Sequence, residues 1–192
     1  MPPQIKISET AILDAAMEIT RNKGISGVNA RELASVLECS VQPVFRCFQS
    51  MENLKQVLYR KAEELFDGRM QKGVVSHEIP FLGMGLAYIK FAQTEKNLFK
   101  FLFMSDEFKG RSVLGMIRGD ENKEIIRMIA GMTGLDLKKA ERLFLSIWLT
   151  THGIASLMAT NDCDFNEKQI AGLLVDSFSG MKNQLRVTGS KK

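Results

Sequence analysis

Residues 29–48, NARELASVLECSVQPVFRCF, contain two short apolar patterns at helical spacing, separated by a break. Asn29 is followed three residues later by Glu32, a variant of the capping box in which each side chain can satisfy a free backbone amide at a helix start. The first pattern therefore predicts a short helix over residues 30–37. A second short helix is expected directly after the break.

The second helix is expected to begin after Ser40, a good N-cap, and to contain Pro43. Counted from Ser40, Pro43 is the third residue and lies in the first turn, where a missing N–H costs little because the amides there have no acceptor within the helix. The proline also restricts the backbone of Gln42, so the helix start should be stiff. The apolar residues expected to face the core are Val44, Phe45 and Phe48.

A longer helix is expected before this segment. Residues 9–23 carry apolar side chains at helical spacing after the possible caps Ser8 and Thr10, and the pattern ends at a cation followed by glycine. Two short helices joined by a turn and braced by a longer one form the helix-turn-helix arrangement, whose second short helix enters the major groove of DNA. Three small helices also occur in domains that never touch DNA, so spacing alone leaves both interpretations open.

The remaining sequence predicts more helices, because β-branched alternation is nearly absent and Gly and Asn mark short breaks. Ser50 can cap a fourth helix, which is expected to end between Gly68 and Gly73. Further helices are expected over residues 80–93, 96–104, 121–132, 137–160 and 167–186, with a broken stretch over 107–116. We therefore predict an all-α fold.

Composition is that of an ordinary folded protein, since 192 residues with 45% hydrophobic content can bury a sizeable core. The formal net charge of +4 is compatible with a nucleic-acid partner, but residues 1–66 contain eight basic and eight acidic side chains. Charge alone therefore does not predict DNA binding. The N-terminus has no apolar signal segment, and no stretch approaches the roughly 20 apolar residues that span a bilayer. We expect a soluble, cytoplasmic protein that does not contact a membrane.

Cysteine and histidine usage argues against a metal site or a disulfide framework. The three cysteines, Cys39, Cys47 and Cys163, are an odd number without metal-ligand spacing, and the chain has only two histidines, His77 and His152. We expect no metal and no cofactor. A redox switch through Cys39 and Cys47 is an alternative that would need exposed thiols with a depressed pKa.

The segment over residues 12–59 resembles the N-terminal domain of TetR-type transcriptional regulators. That family has an initial Ile-Leu-x-Ala-Ala helix, a Lys-Gly break, then Thr-x-x-x-Ile-Ala, and a Ser-x-x-x-Leu-Tyr-x-x-Phe recognition segment before a fourth helix that contains Leu. The corresponding residues here are Ile12, Leu13, Ala15 and Ala16; Lys23 and Gly24; Asn29, Leu33 and Ala34; and Ser40, Val44, Phe45 and Phe48. The resemblance covers about a quarter of the chain, and Phe45 stands where the family usually has a tyrosine.

The resemblance implies a helix-turn-helix DNA-binding domain over residues 1–50. The residues that it places on the DNA surface are Asn29, Arg31, Ser40, Val41, Gln42, Pro43, Phe45, Arg46 and Lys55. Gln42 is the best candidate for contact with a base edge, because its amide can donate and accept, and adenine is a common partner. Val41 and Pro43 could meet a thymine methyl group. As alternatives, Arg46 is a solvated surface residue and Arg31 pairs with an acid in its own helix.

Residues 147–159, IWLTTHGIASLMA, are similar to the Trp-His-Gly signature of one TetR-type C-terminal domain, here Trp148, His152 and Gly153. Trp148 and His152 share a helix face, and Gly153 would allow a neighbouring backbone to approach closely. A packed helix with a hydrogen-bonded core histidine is the alternative. The residues that could line an apolar ligand pocket are Phe81, Met84, Tyr88, Phe91, Phe99, Leu102, Phe103, Met116, Met128 and Met132, with Trp148 and His152 at its wall.

The resemblance further implies a connecting helix over residues 51–75 and an effector-binding and dimerisation domain over 76–192. The last two long helices would form the homodimer interface. The leading hypothesis is a homodimeric transcriptional repressor that binds palindromic double-stranded DNA and is released by a small hydrophobic effector. Two rivals are a protein-binding module with the same fold but little DNA affinity, and an all-α enzyme that uses His152.

Overall fold

The computed structural model describes residues 7–105, 119–161 and 163–187. Within these ranges the chain forms nine α-helices and no strand, which confirms the all-α prediction. The broken stretch predicted over 107–116 lies outside the described residues. The helices are α1 (Glu9–Lys23), α2 (Ala30–Val36), α3 (Gln42–Phe48), α4 (Met51–Ser76), α5 (Pro80–Thr94), α6 (Lys96–Phe103), α7 (Asp120–Thr133), α8 (Leu137–Thr160) and α9 (Glu167–Val187), with a 3₁₀ turn at Ile25–Gly27.

Helix α1 begins and ends where the sequence predicts. Ser8 Oγ accepts a hydrogen bond from the N–H of Ala11 at 3.1 Å and thereby caps the helix. Gly24 ends the helix with a φ of 75°, which glycine adopts at little cost, and its N–H donates to the carbonyl oxygen of Thr20 at 2.9 Å. Both helix signals in the sequence are therefore used in the structure.

Side-chain caps also begin α2 and α4. Asn29 Oδ1 accepts from the backbone N–H groups of Arg31 and Glu32 at 3.1 and 3.0 Å, and Ser50 Oγ caps α4 as predicted. The reciprocal half of the predicted capping box is wrong, because the Glu32 carboxylate accepts from Lys23 Nζ. A cation at the end of α1 is a stronger partner for this carboxylate than a neutral amide.

The predicted cap of α3 is also wrong. The N-cap residue is Val41, and no side chain caps this helix; the N–H of Val44 donates to the carbonyl oxygen of Val41 at 3.2 Å. Helix α3 therefore starts at Gln42, one residue later than a cap at Ser40 would give. Pro43 is the second helical residue and lies in the first turn, as predicted, where its missing N–H leaves no hydrogen bond unmade.

Helix α4 continues beyond the range between Gly68 and Gly73 in which it was predicted to end. Gly68 and Gly73 lie inside a helix that reaches Ser76. One helical glycine weakens a helix by only about 1 kcal/mol, so packing decides whether the helix continues. Gly73 lies against α5, where a Cβ on it would fall 2.7 Å from the carbonyl oxygen of Gly83 and 2.5 Å from Cβ of Ala87. Glycine is therefore used here for close helix packing.

Contacts divide the chain into two compact units. Among the described residues, the first unit contains 7–68 and 94–105, and the second contains 69–93, 119–161 and 163–187. Helices α4 and α5 contribute residues to both units. Helix α6 belongs to the first unit, whereas the sequence-based division assigned it to the domain over 76–192.

The first unit has a core formed by α1 with α2, α3, α4 and α6. Its fully buried apolar residues include Ile12, Ala16, Leu33, Val44, Leu54, Leu58, Leu98 and Phe99. Three polar contacts position α6: Arg21 Nε donates to Glu95 Oε2 at 3.0 Å, the Asn97 amide donates to the Arg21 carbonyl oxygen at 2.7 Å, and the Tyr59 hydroxyl donates to the Leu102 carbonyl oxygen at 2.9 Å. Packing and polar contacts thus both hold α6 within this unit.

The second unit has a core formed by α7, α8 and α9. Its buried apolar residues include Ile126, Ile129, Leu135, Ala140, Leu143, Phe144, Ile147 and Leu185. Arg186 Nη2 donates to the carbonyl oxygen of Thr133 at 2.6 Å, which ties the end of α9 to the end of α7. This arrangement leaves the N-terminal part of α5 to complete the wall of a cavity in the same unit.

Helix α8 is the one helix among the described residues that is long and apolar enough to cross a membrane. The helix qualifies by length and composition alone, with a mean hydropathy of 1.3 over 18 residues. The core helix of a soluble protein passes the same test, and 44% of that window is buried within the protein. The helix is therefore weak evidence for a membrane span.

Candidate nucleic-acid interface and ligand cavity

Helix α3 has one buried face and one exposed face. Val44 and Phe48 are 0% and 2% exposed and pack in the core of the first unit, as predicted. Gln42 and Arg46 are exposed. Phe45 does not face the core, contrary to the core prediction, because it lies one residue beyond Val44 on the helix and is 43% exposed. The exposed face therefore combines an amide, a guanidinium group and an aromatic ring.

The other residues predicted to contact DNA lie around α3 with different environments. Asn29 is exposed, but its amide is used at the start of α2: Oδ1 caps the helix and Nδ2 donates to the carbonyl oxygen of Gly27 at 3.2 Å. Arg31 is exposed and has no ion-pair partner in the described part of the chain, so the alternative pairing within its helix is not found. Ser40 is exposed and Lys55 is half-buried.

Val41, at the start of α3, is 37% exposed, and Pro43 is half-buried. Arg46 Nη2 donates to the carbonyl oxygen of Ile7 at 3.4 Å.

Two residues that flank α3 have left-handed backbone conformations. Glu38 before the helix has a φ of 49° and Gln49 after it has a φ of 63°, values that are costly for residues with a Cβ. The backbone at both ends of α3 is therefore strained in the folded state.

The second unit contains a cavity of about 370 Å³. Its size and composition are those of a small-molecule site, which is usually a mainly apolar space with a few polar groups. The residues that line it come from α5, α7, α8 and α9 and the segment before α5: Ile79, Phe81, Leu82, Met84, Gly85, Tyr88, Met132, Phe144, Ile147, Trp148, Thr151, Leu174, Val175, Phe178, Ser179 and Lys182.

Contacts across the cavity define its two ends. At one end the ring of Phe81 lies 6.4 Å from that of Phe144 and 5.7 Å from that of Phe178. One turn further along α5, a Cβ on Gly85 would fall 3.1 Å from Leu174 Cδ1, so this glycine permits close packing of α5 on α9. The α5 residues that line the cavity run from Phe81 to Tyr88, seven residues or about 10 Å along the helix axis.

A polar pair lies at the end of the cavity near Tyr88. The Tyr88 hydroxyl and His152 Nδ1 are 2.9 Å apart, and either group can act as the donor. The rings of His152 and Trp148 are stacked, with centroids 4.9 Å apart and planes 4° apart. Burial raises the pKa of Tyr88 well above its usual value and lowers the pKa of His152. Both groups are therefore neutral at pH 7.

The cavity includes part of the predicted pocket. Phe81, Met84, Tyr88, Trp148 and Met132 line it, and His152 supports its wall through Tyr88 and Trp148.

Five described members of the predicted pocket set do not line this cavity. Phe91 is 1% exposed in the core, Phe103 lies in the first unit with its ring 5.1 Å from that of Phe66, and Met128 is not among the lining residues. Met116 lies outside the described residues. Phe99 and Leu102 are also buried in the first unit. Apolar side chains are common to cores and cavities, so residue type could not separate the two.

The glycine of the Trp-His-Gly signature does not allow a close helix approach within the described part of the chain. A Cβ on Gly153 would meet nothing within 4 Å, and this residue is exposed. The close approaches are made by Gly73, Gly83 and Gly85.

Sequence reasoning missed the contribution of α9 to the cavity. Leu174, Phe178 and Lys182 are four residues apart and therefore share one helix face, a signal that was present in the sequence but was not connected with the pocket. The side of α9 that faces α5 could be known only from the packing.

No group of three or more His, Cys, Asp or Glu residues that could hold a metal is found among the described residues. Cys39, Cys47 and Cys163 are free and half-buried.

No protein-family model matches the chain, and comparison with curated protein sequences gives no significant match. The resemblance to TetR-type regulators therefore stays a prediction based on the motifs quoted above.

Proposed function

We propose that the protein is a homodimeric, ligand-responsive transcriptional regulator of the TetR type, a repressor whose α2 and α3 form a DNA-reading helix-turn-helix. The observation that carries the proposal is the division of α3 into a buried face with Val44 and Phe48 and an exposed face with Gln42 and Arg46. A helix that is held by one face and presents donors on the other suits the major groove.

The surroundings of α3 support a contact with phosphates. Arg31 lies in the first turn of α2, is exposed, and has no ion-pair partner in the described part of the chain. Arg46 lies in the last turn of α3 with an exposed guanidinium group. Phosphate contacts position a protein on the duplex, while base contacts read the sequence, so these arginines would position the groove contact of Gln42.

The cavity supports regulation by a small apolar molecule. It lies among the helices of the second unit, about 370 Å³ in volume and mainly apolar. Helix α4 contributes residues to both units and is the natural carrier of a conformational change. An effector releases DNA only to the extent that it binds the DNA-incompatible state more tightly than the compatible state.

Exposed apolar residues on α8 and α9 support a homodimer. Leu149, Leu157 and Leu173 are 52%, 45% and 42% exposed, and Gly153 is also exposed on α8. A twofold interface uses the same surface on both partners, so one such patch is sufficient for two copies. A dimer would place two α3 helices in successive major grooves if they lie about 34–36 Å apart.

The proposal is tested by an electrophoretic shift assay with DNA from upstream of the protein's own gene and with the same DNA after shuffling. We expect tighter binding to the natural sequence and a steep loss of affinity with rising salt. The double substitution Gln42→Ala with Arg46→Ala should weaken specific binding at least tenfold, because it removes a base contact and a phosphate contact.

The matched control is Gln56→Ala with Arg60→Ala. These two exposed residues have the same side chains at the same spacing, but they lie on α4. The control should bind DNA like the unsubstituted protein. Equal weakening by both pairs, or binding that does not distinguish natural from shuffled DNA, would refute the assignment of α3 as the reading helix.

A second candidate function is a protein-binding module with the same fold but little DNA affinity. Its support is the apolar surface around α3, where Val36, Val41 and Phe45 are 52%, 37% and 43% exposed. Aromatic residues are enriched in protein interfaces. Under this alternative, Phe45→Ala should abolish capture of a protein partner, whereas the arginines should contribute little and no specific DNA shift should be seen.

A further inference from the structure

The charge of the cavity is set by one side chain. Among the sixteen described residues that line it, Lys182 is the one with a basic side chain, no residue is acidic, and Tyr88 is neutral. Lys182 has no carboxylate partner in the described part of the chain. Its Nζ lies over the ring of Phe178, 6.0 Å from the ring centroid.

Lys182 lies at a defined end of the cavity. It follows Phe178 by one turn of α9, on the side away from Leu174, and Phe178 contacts Phe81. The opposite end is formed by Gly85, Leu174 and Tyr88, where the polar hydroxyl of Tyr88 already bonds to His152. A ligand therefore meets a positive charge at one end and a largely apolar space along the rest of its length.

We infer that the cavity binds an amphiphilic anion, with its carboxylate or similar group at Lys182 and its apolar body directed along α5 towards Gly85. This inference rests on the proposed function only in treating the cavity as the effector site. A cationic amphiphile is disfavoured, because its charge would be buried near Lys182 without a compensating acid. A neutral amphiphile gains the apolar contacts but not the charge-assisted hydrogen bond.

The volume sets the size of the apolar body. At about 30 Å³ for each water-sized group, 370 Å³ holds roughly ten to twelve carbon-sized groups. Decanoate, 1-decanol and decylamine are therefore suitable probes, because they share one chain length and differ in the charge of the head group.

The experiment is calorimetric titration of the full chain with each probe in the absence of DNA. We expect decanoate to bind more tightly than decanol, and decylamine to bind most weakly. Lys182→Met removes the charge but keeps an apolar chain, so it should weaken decanoate binding about tenfold and leave decanol nearly unchanged. Lys182→Glu should reverse the preference towards decylamine. Unchanged decanol binding also shows that the variant is folded.

The matched control is Lys168→Met, which removes an exposed lysine from the first turn of the same helix, about 21 Å from Lys182 along its axis. This variant should bind all three probes like the unsubstituted protein. Equal affinity for the three probes, no binding of any probe, or an equal effect of Lys182→Met on decanoate and decanol would overturn the inference.

The probe titrations and the DNA-shift assay can fail independently of each other. Selective decanoate binding by a protein that fails the DNA-shift test would support the anion site and refute the DNA-binding regulator. Specific DNA binding without any selectivity for decanoate would refute the anion site alone.

Discussion

Burial keeps two titratable side chains beside the cavity neutral. Tyr88 and His152 form a hydrogen bond within an apolar wall, and desolvation keeps both groups neutral. Lys182, at the other end, is a half-buried basic side chain without a carboxylate partner in the described part of the chain. The cavity is thus polar at its two ends for different reasons, and only one end offers a charge to a ligand.

His152 should make the stability of the protein depend on pH. Because its pKa is lowered in the folded state, the unfolded chain takes up a proton first as pH falls below about 6.5. Between about pH 6.5 and the lower pKa of the folded state, the unfolded state binds more protons than the folded state. The free energy of unfolding therefore falls as the pH is lowered through this range. His152→Gln should remove part of this slope between pH 7.5 and 5 in urea denaturation. His77→Gln is the control, and an unchanged slope in His152→Gln would contradict the prediction.

Glu38 should be replaceable by glycine with a gain in stability. Its φ of 49° is unfavourable for a residue with a Cβ, and glycine removes that cost, which is about 1 kcal/mol. We expect Glu38→Gly to raise the free energy of unfolding by about 0.5–1 kcal/mol in chemical denaturation. Glu38→Ala loses the same charge but keeps a Cβ, so it should give no such gain. Equal effects of the two variants would assign the change to charge.

Helix packing shows why identical residues have different roles in one element. Gly68 and Gly73 both lie in α4, but Gly68 has open space where a Cβ would be, whereas Gly73 lies against the backbone of α5. Glycine at the first position weakens the helix without a packing gain. At the second position it permits a helix crossing that no larger residue would allow.

Substitution of these two glycines by alanine should therefore change stability in opposite directions. Gly73→Ala would place its Cβ 2.7 Å from the Gly83 carbonyl oxygen, so α4 and α5 must move apart, at a cost of about 1–3 kcal/mol. Gly68→Ala should stabilise by about 0.5–1 kcal/mol through helix propensity. Thermal and urea denaturation of both variants check this. Destabilisation by Gly68→Ala, or none by Gly73→Ala, would disprove the packing explanation.

Most helices could be predicted from the sequence, because caps and apolar periodicity are local signals. Helix α1 and helix α8 have the predicted bounds. The predictions that Ser40 caps α3 and that α4 ends between Gly68 and Gly73 were wrong. Serine also occurs outside helix caps and glycine also occurs inside helices, so tertiary packing decides which role each residue takes. The cavity was predicted less well, because Phe91 and Tyr88 are three residues apart on α5, yet one is core and the other is wall.

At the scale of the whole molecule, the apolar surface of the last two helices is not explained by the single chain. Leu149 and Leu157 lie on one side of α8 with Gly153 between them, and Leu173 is exposed on α9. Soluble monomers seldom leave such residues grouped without a partner. The buried faces of the same helices, with Leu143 and Ile147, serve the core of the second unit. The two faces thus suit a homodimer.

Placing charges on this surface should therefore separate the subunits. Leu149→Glu with Leu157→Glu would bury like charges across a twofold interface, and we expect a shift from dimer to monomer at micromolar concentration in sedimentation velocity. The control is Leu137→Glu, which is 58% exposed on the same helix but roughly 160° around it from Gly153. The control should remain dimeric. A dimer that persists in the double variant, or an unsubstituted protein that is monomeric, would contradict this interface. Under the proposed function two α3 helices of a dimer bind one DNA site, so the double variant should also lose specific DNA affinity although its α3 is intact.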